Sequence, residues 1–114
     1  MSIAAAAAEL EKAGIAPRLM IDASHANSLK KPENQPAVID AVAAQVAAGD
    51  GRIVGVMAES NLVAGRQDYV PGVVPVYGQS ITDGCIGWDA TVEVLSTLAA
   101  AVEQRRGAVA RRVA

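Results

Sequence analysis

Two short runs decide the fold: Leu19-Met-Ile-Asp-Ala-Ser-His-Ala-Asn27 and Ile53-Val-Gly-Val-Met-Ala-Glu59. Each is an unbroken apolar stretch that ends in groups able to titrate or bind cations. Continuous apolar character, rather than alternation, suits a strand buried on both faces, as in a parallel sheet. The expected strands are residues 19–23 and 53–58. Working outward, residues 3–13 are Ala-rich and read as a helix, with Gly14 as its stop and Pro17 beyond. Residues 24–36 are polar, hold Pro32 and Pro36, and read as a loop. Pro36 suits the opening of the next helix, where its missing N–H costs nothing. Val38, Val42 and Val46 recur at helical spacing beside Ile39, so residues 37–48 form that helix and Gly49-Asp-Gly51 ends it. Residues 59–79 carry three glycines and two prolines and predict a long loop, which is uncommon unless functional or disordered. Residues 80–83 lead towards a last helix, residues 90–106, with Asp89 as N-cap. Strands alternating with helices imply βαβ units, an α/β fold and a parallel sheet.

Composition narrows the class. Of 114 residues, 52% are hydrophobic, which excludes a disordered chain. The apolar content is mostly Ala and Val, with no Phe, so each buried residue contributes less apolar area than Leu or Phe would. A net charge of −2 gives no footprint for nucleic acid. The one basic cluster, Arg105, Arg106, Arg111 and Arg112, reads as a solvated helix end whose cations suit the helix dipole. Cys85 is the only cysteine, so no disulfide forms within the chain, which suits a cytoplasmic setting. The Ala-rich start lacks a basic segment and meets Glu9, Glu11 and Lys12 at once, unlike a signal peptide. No apolar run reaches the ~18 residues that span a membrane.

Parallel α/β folds place their chemistry at the C-terminal ends of strands. The first strand ends in Asp22-Ala-Ser-His25-Ala-Asn27-Ser28, the second in Glu59-Ser-Asn61, and the loop returns through Tyr77 to Asp83. His25 is the only histidine. One imidazole nitrogen and two carboxylates suit a hard or borderline divalent metal, and His25, Glu59 and Asp83 could converge on one. By residue type and position alone, a second reading stands beside it: His25 as a hydrogen-bonded loop histidine and Glu59 as an exposed strand-end charge.

Three stretches then make the sequence specific. Met20-Ile-Asp-Ala-Ser-His-Ala-Asn-Ser28 resembles the strand-end motif of class I 3-deoxy-D-arabino-heptulosonate-7-phosphate (DAHP) synthases. Ile53-Val-Gly-Val-Met-Ala-Glu-Ser-Asn-Leu-Val-Ala-Gly-Arg-Gln67 is similar to that family's next strand and loop. Tyr77-Gly-Gln-Ser-Ile-Thr-Asp-Gly-Cys-Ile-Gly-Trp88 resembles its closing segment. The likeness runs from about residue 8 to residue 106.

The resemblance implies a (β/α)8 barrel, with this chain as its last quarter: helix 6, strand 7, helix 7, strand 8 and helix 8. It implies condensation of phosphoenolpyruvate with erythrose 4-phosphate, the first step of the shikimate route to aromatic amino acids. It implies a divalent metal (Mn, Fe, Co or Zn) held by a cysteine, a histidine, a glutamate and an aspartate. By motif, the last three carry over to His25, Glu59 and Asp83. Cys85 lies in the closing motif and is not the family's cysteine, which belongs to a segment after the first barrel strand. Asp22 is either an outer partner of the metal site or a strand-end hydrogen-bonding group. Asn61 stands where many relatives have histidine, and Ala23 where an aromatic or cysteine can occur. Lys30 and Lys31 read as loop surface charges, Trp88 and Cys85 as packing for the final helix, and Gly55 as a site of close packing in the barrel. The family's phosphate-binding lysines and arginines lie on earlier strands. A barrel takes ~200 residues or more, so the expectation is an incomplete barrel over residues 1–114, inactive alone. The alternatives are one half of a split enzyme or a non-catalytic interaction module. Relatives assemble as homo-oligomers.

Overall fold

The computed structural model describes residues 1–113. Helix α1 spans Ile3–Lys12 and strand β1 spans Leu19–Asp22. A 3-10 turn at Pro32–Asn34 leads into helix α2, Gln35–Ala47. Strand β2 spans Ile53–Met57, and helix α3 spans Trp88–Val113. Ser2 caps α1 by accepting the Ala5 N–H at 3.1 Å, and Gly14 follows in the left-handed region at φ 73°. Both are ordinary helix boundaries.

β1 and β2 pair in parallel, as the alternation of strands and helices predicts. Met20, Ile21 and Asp22 face Gly55, Val56 and Met57 in register, with an irregularity after Leu19 that leaves Val54 extra. The core lies on one side of this sheet. Val42, Ala43 and Val46 of α2 pack with Ile53 of β2 and Ala101 of α3. A second cluster, nearer the strand ends, joins Ala23, Ile39, Ile86 and Val94. The helix-facing strand residues Ile21 and Val56 pack against these clusters.

The structure corrects several expectations. The strands are not buried on both faces: Met20, which lies against Gly55 away from the helices, is 69% exposed, because α2 and α3 cover one face only. Gly55 is a close-packing site, since an added Cβ would lie 3.1 Å from Met20 Cε on the face away from α2 and α3. Helix α2 opens at Gln35, so Pro36 is its second residue. Helix α3 begins at Trp88 and places Asp89 in its first turn rather than at the cap, where a carboxylate still complements the dipole. It continues past Arg106 because a single Gly107 costs only about 1 kcal/mol and Ala and Arg favour helix. Trp88 is 55% exposed rather than packed under the helix. Arg105 is no solvated end: its guanidinium donates to the Asp50 and Ile53 carbonyls at 3.0 and 2.9 Å. The side chain of Arg112, from the same basic cluster, lies outside the described residues.

Candidate metal centre

The segment after β1 turns sharply. His25, Leu29 and Lys30 all have positive φ, at 47°, 55° and 59°, a region that costs a non-glycine residue of order 1–2 kcal/mol. Hydrogen bonds hold it there. Asn27 Nδ2 donates to the Asp22 carbonyl at 2.6 Å, and the Lys30 N–H donates to the His25 carbonyl at 2.7 Å. Asn34 Nδ2 donates to the Ser28 carbonyl at 2.9 Å. The result lifts the His25 ring towards the end of β2.

Asp22 holds that ring from behind. Its Oδ2 lies 2.8 Å from His25 Nδ1, and its Oδ1 accepts the Ser24 N–H at 2.7 Å. With Nδ1 engaged, Nε2 is left to face the two carboxylates, 3.8 Å from Glu59 Oε1 and 3.7 Å from Asp83 Oδ2. The other Glu59 oxygen, Oε2, accepts the Ser24 hydroxyl at 2.5 Å. The His25 pKa is raised above 6.5, first by the hydrogen bond to Asp22, then by the Asp22 charge, with smaller contributions from Glu59 and Asp83.

Glu59 follows β2 by two residues, and its backbone is held on both sides. The Ile86 N–H donates to its carbonyl at 2.9 Å, and the buried Gln35 side chain bonds both its N–H and its carbonyl. Asp83 comes from the far end of the long loop. Residues 59–79 contain no regular element, as expected, yet the loop is tied: Gly65 and Cys85 exchange backbone hydrogen bonds, and Arg66 Nε donates to the Thr82 carbonyl at 2.9 Å. Gly84 lets this crossing lie against the 3-10 turn, since a Cβ there would sit 2.9 Å from Pro32 Cγ.

One donor atom from each of His25, Glu59 and Asp83 lies within 4.8 Å of the others. A first-row divalent ion with bonds near 2.1 Å sets its ligands about 3.0–3.4 Å apart. The His25–carboxylate separations of 3.8 and 3.7 Å exceed that range, and the whole group lies within 4.8 Å, so an ion would draw the three side chains together. The donor set of one imidazole nitrogen and carboxylate oxygens suits Mn, Fe, Co or Zn, so the residues fit such an ion. The group borders a cavity of about 360 Å³ that Ser24, Lys30, Pro32, Arg66 and Thr82 also line. Lys30 and Lys31 are both exposed, as expected of loop surface charges, and Lys30 also lines the cavity.

Cys85 is not among the convergent donors. It is half-buried, burial pushes its thiol pKa up, and its Sγ leans on the Asp83 carbonyl at 3.5 Å. Asn61 accepts the Leu62 N–H at 2.8 Å within the loop, and Ala23 is fully buried. Sequence reasoning missed Ser24 and Gln35. The serine stands inside the quoted strand-end motif; nothing local marks the glutamine.

The DAHP synthetase I family model matches residues 1–96. The chain belongs to this family. Among similar proteins is the tyrosine-inhibited phospho-2-dehydro-3-deoxyheptonate aldolase of Schizosaccharomyces pombe, 50% identical over 108 residues, 91% of this chain and 29% of that protein. The Phe-sensitive enzyme of the same name from Escherichia coli K12 is 50% identical over 98 residues, 86% of this chain and 28% of that protein. A solved phospho-2-dehydro-3-deoxyheptonate aldolase from Francisella tularensis SCHU S4 superposes with a TM-score of 0.83 at 42% identity, over 90% of this chain and 30% of that one. The chain therefore spans about three tenths of the length of the family members it matches.

Proposed function

We propose that this chain is the last part of a DAHP synthase barrel and supplies three of the metal donors for the condensation of phosphoenolpyruvate with erythrose 4-phosphate. The observation that carries this reading is the convergence of His25 Nε2, Glu59 Oε1 and Asp83 Oδ2 at the C-terminal rim of a parallel strand pair. In this reading α1, β1, α2, β2 and α3 are helix 6, strand 7, helix 7, strand 8 and helix 8 of a (β/α)8 barrel, one domain over residues 1–114.

His25, Glu59 and Asp83 would hold a divalent ion there, and the ion would supply Lewis-acid polarisation of an aldehyde oxygen for that condensation. The chain's own residues prepare that position. Asp22 fixes the His25 ring and its tautomer, so that Nε2 carries the free lone pair, the usual arrangement for a ligating histidine. Ser24 occupies Glu59 Oε2 and leaves Oε1 to point at the cluster. The cations Lys30 and Arg66 border the cavity beside it.

The exposed face of the sheet, with Met20, calls for further strands. They come from the rest of one polypeptide or, in a split enzyme, from a partner. Retention of all three donors argues against a non-catalytic interaction module. A cytoplasmic homo-oligomer accords with the family and with the single cysteine; among the described residues no helix is long and apolar enough to cross a membrane.

The test is a Co²⁺ titration of the chain, followed by visible absorption, against His25→Ala, Glu59→Ala and Asp83→Ala. Each substitution is expected to weaken binding, and the chain alone is expected to show no condensation, since the family resemblance puts the residues that orient the two phosphates on earlier strands. Unchanged Co²⁺ affinity in all three variants would remove the assignment.

A further inference from the structure

We infer that Gln35 is a positioning residue that clamps the backbone of Glu59 and thereby sets the affinity of the cluster for a divalent cation; the second half of this inference rests on the metal reading above. Gln35 opens helix α2, 24 residues from Glu59 in sequence, and its side chain is 0% exposed. Its Oε1 accepts the Glu59 N–H at 2.8 Å, and its Nε2 donates to the Glu59 carbonyl at 3.1 Å. Both ends of one amide thus serve the backbone of one residue.

A primary amide buried in an otherwise apolar place is costly unless every polar atom finds a partner. Met or Leu would fill the same volume without that requirement. Gln35 meets it only because the Glu59 peptide lies in register with it. The Ile86 N–H holds the same carbonyl from the other side at 2.9 Å. The Glu59 Cα is then fixed between a helix and the closing segment, and Ser24 fixes Oε2 at 2.5 Å. The carboxylate has one oxygen left, and it faces His25 Nε2. Helix α2 is a stiff support for this clamp because Ile39, Val42 and Val46 anchor it in the core. Groups that orient metal ligands from behind typically change metal affinity by about 10–100-fold when removed.

The experiment compares the chain with Gln35→Met and with Val46→Ala, a core substitution on the same helix away from the site. Two readouts are taken: exchange of the Glu59 amide hydrogen by NMR without metal, and Co²⁺ affinity by titration. Gln35→Met is expected to speed Glu59 exchange and to weaken Co²⁺ binding by about 10–100-fold. Val46→Ala is expected to destabilise the chain while leaving both readouts near wild type. Wild-type Co²⁺ affinity in Gln35→Met, or an equal loss in Val46→Ala, overturns the positioning role. Unchanged Glu59 exchange in Gln35→Met overturns the clamp itself. A wild-type chain that takes up no Co²⁺ overturns instead the metal reading and the dependent half of this inference, while the exchange result still decides the clamp.

Discussion

Replacing Asp22 with Asn perturbs the group that orients the His25 ring. Asp22 uses both oxygens as acceptors, one for His25 Nδ1 at 2.8 Å and one for the Ser24 N–H at 2.7 Å. An amide of the same shape offers one oxygen and one NH₂. In Asp22→Asn either the NH₂ faces the Ser24 N–H, or it donates to His25 Nδ1 and selects the tautomer whose Nε2 carries the proton; in both cases the negative charge behind His25 is lost. Two effects follow. The His25 pKa falls back towards 6.5, because the largest cause of its elevation is the hydrogen bond to Asp22 and the next is the Asp22 charge. The Nε2 lone pair also becomes less basic and less well aimed. The expected loss of Co²⁺ affinity is about tenfold, the low end of the range for such partners, because water screens and partly replaces a contact this exposed. Asp22 and His25 are 43% and 52% exposed. The assay is direct because His25 is the only histidine, so its ring protons give unambiguous NMR signals. Titration of the metal-free wild type and variant reads the pKa, and Co²⁺ titration at several pH values reads the affinity. A ligating histidine must be deprotonated, so wild-type affinity should fall as pH drops through the raised pKa, and the variant's fall should come at lower pH. A His25 pKa unmoved by the substitution, together with wild-type Co²⁺ affinity, would refute the reasoning.

Two further outcomes are expected. Ile39→Ala removes a fully buried side chain from the cluster with Ala23, Ile86 and Val94; it should lower stability by about 2–5 kcal/mol, read from urea unfolding followed by circular dichroism. Gly84→Ala places a methyl group 2.9 Å from the Pro32 ring, and should push the Asp83 crossing outward; Co²⁺ affinity should drop while helical content stays at the wild-type level, and an unchanged affinity would mean that the crossing has room to spare.

Much of this protein is legible in its residues. The apolar runs at 19–23 and 53–58, bounded by Gly14 and by Gly49 and Gly51, read as short strands and form Leu19–Asp22 and Ile53–Met57, and valines at helical spacing placed α2 within two residues of its start. Glu59 was nameable because it stands directly after an apolar run, where charge needs a reason, and His25 because it is the only histidine and lies just past a strand end; Asp83 was singled out by the resemblance of its closing motif. These are local facts, set by side-chain volume, period and turn chemistry.

Other features belong to the tertiary structure alone. That one sheet face stays open depends on where α2 and α3 pack, which no strand pattern encodes. The positive φ of His25 depends on hydrogen bonds from Asn27 and Lys30 that close only once the loop has turned. The partnership of Gln35 with Glu59 joins residues 24 apart, and only the register between a helix end and a strand end brings a buried amide into line with one peptide group. Sequence specifies which groups are available; the angles and distances at which donors meet are fixed by the packing of whole elements against one another.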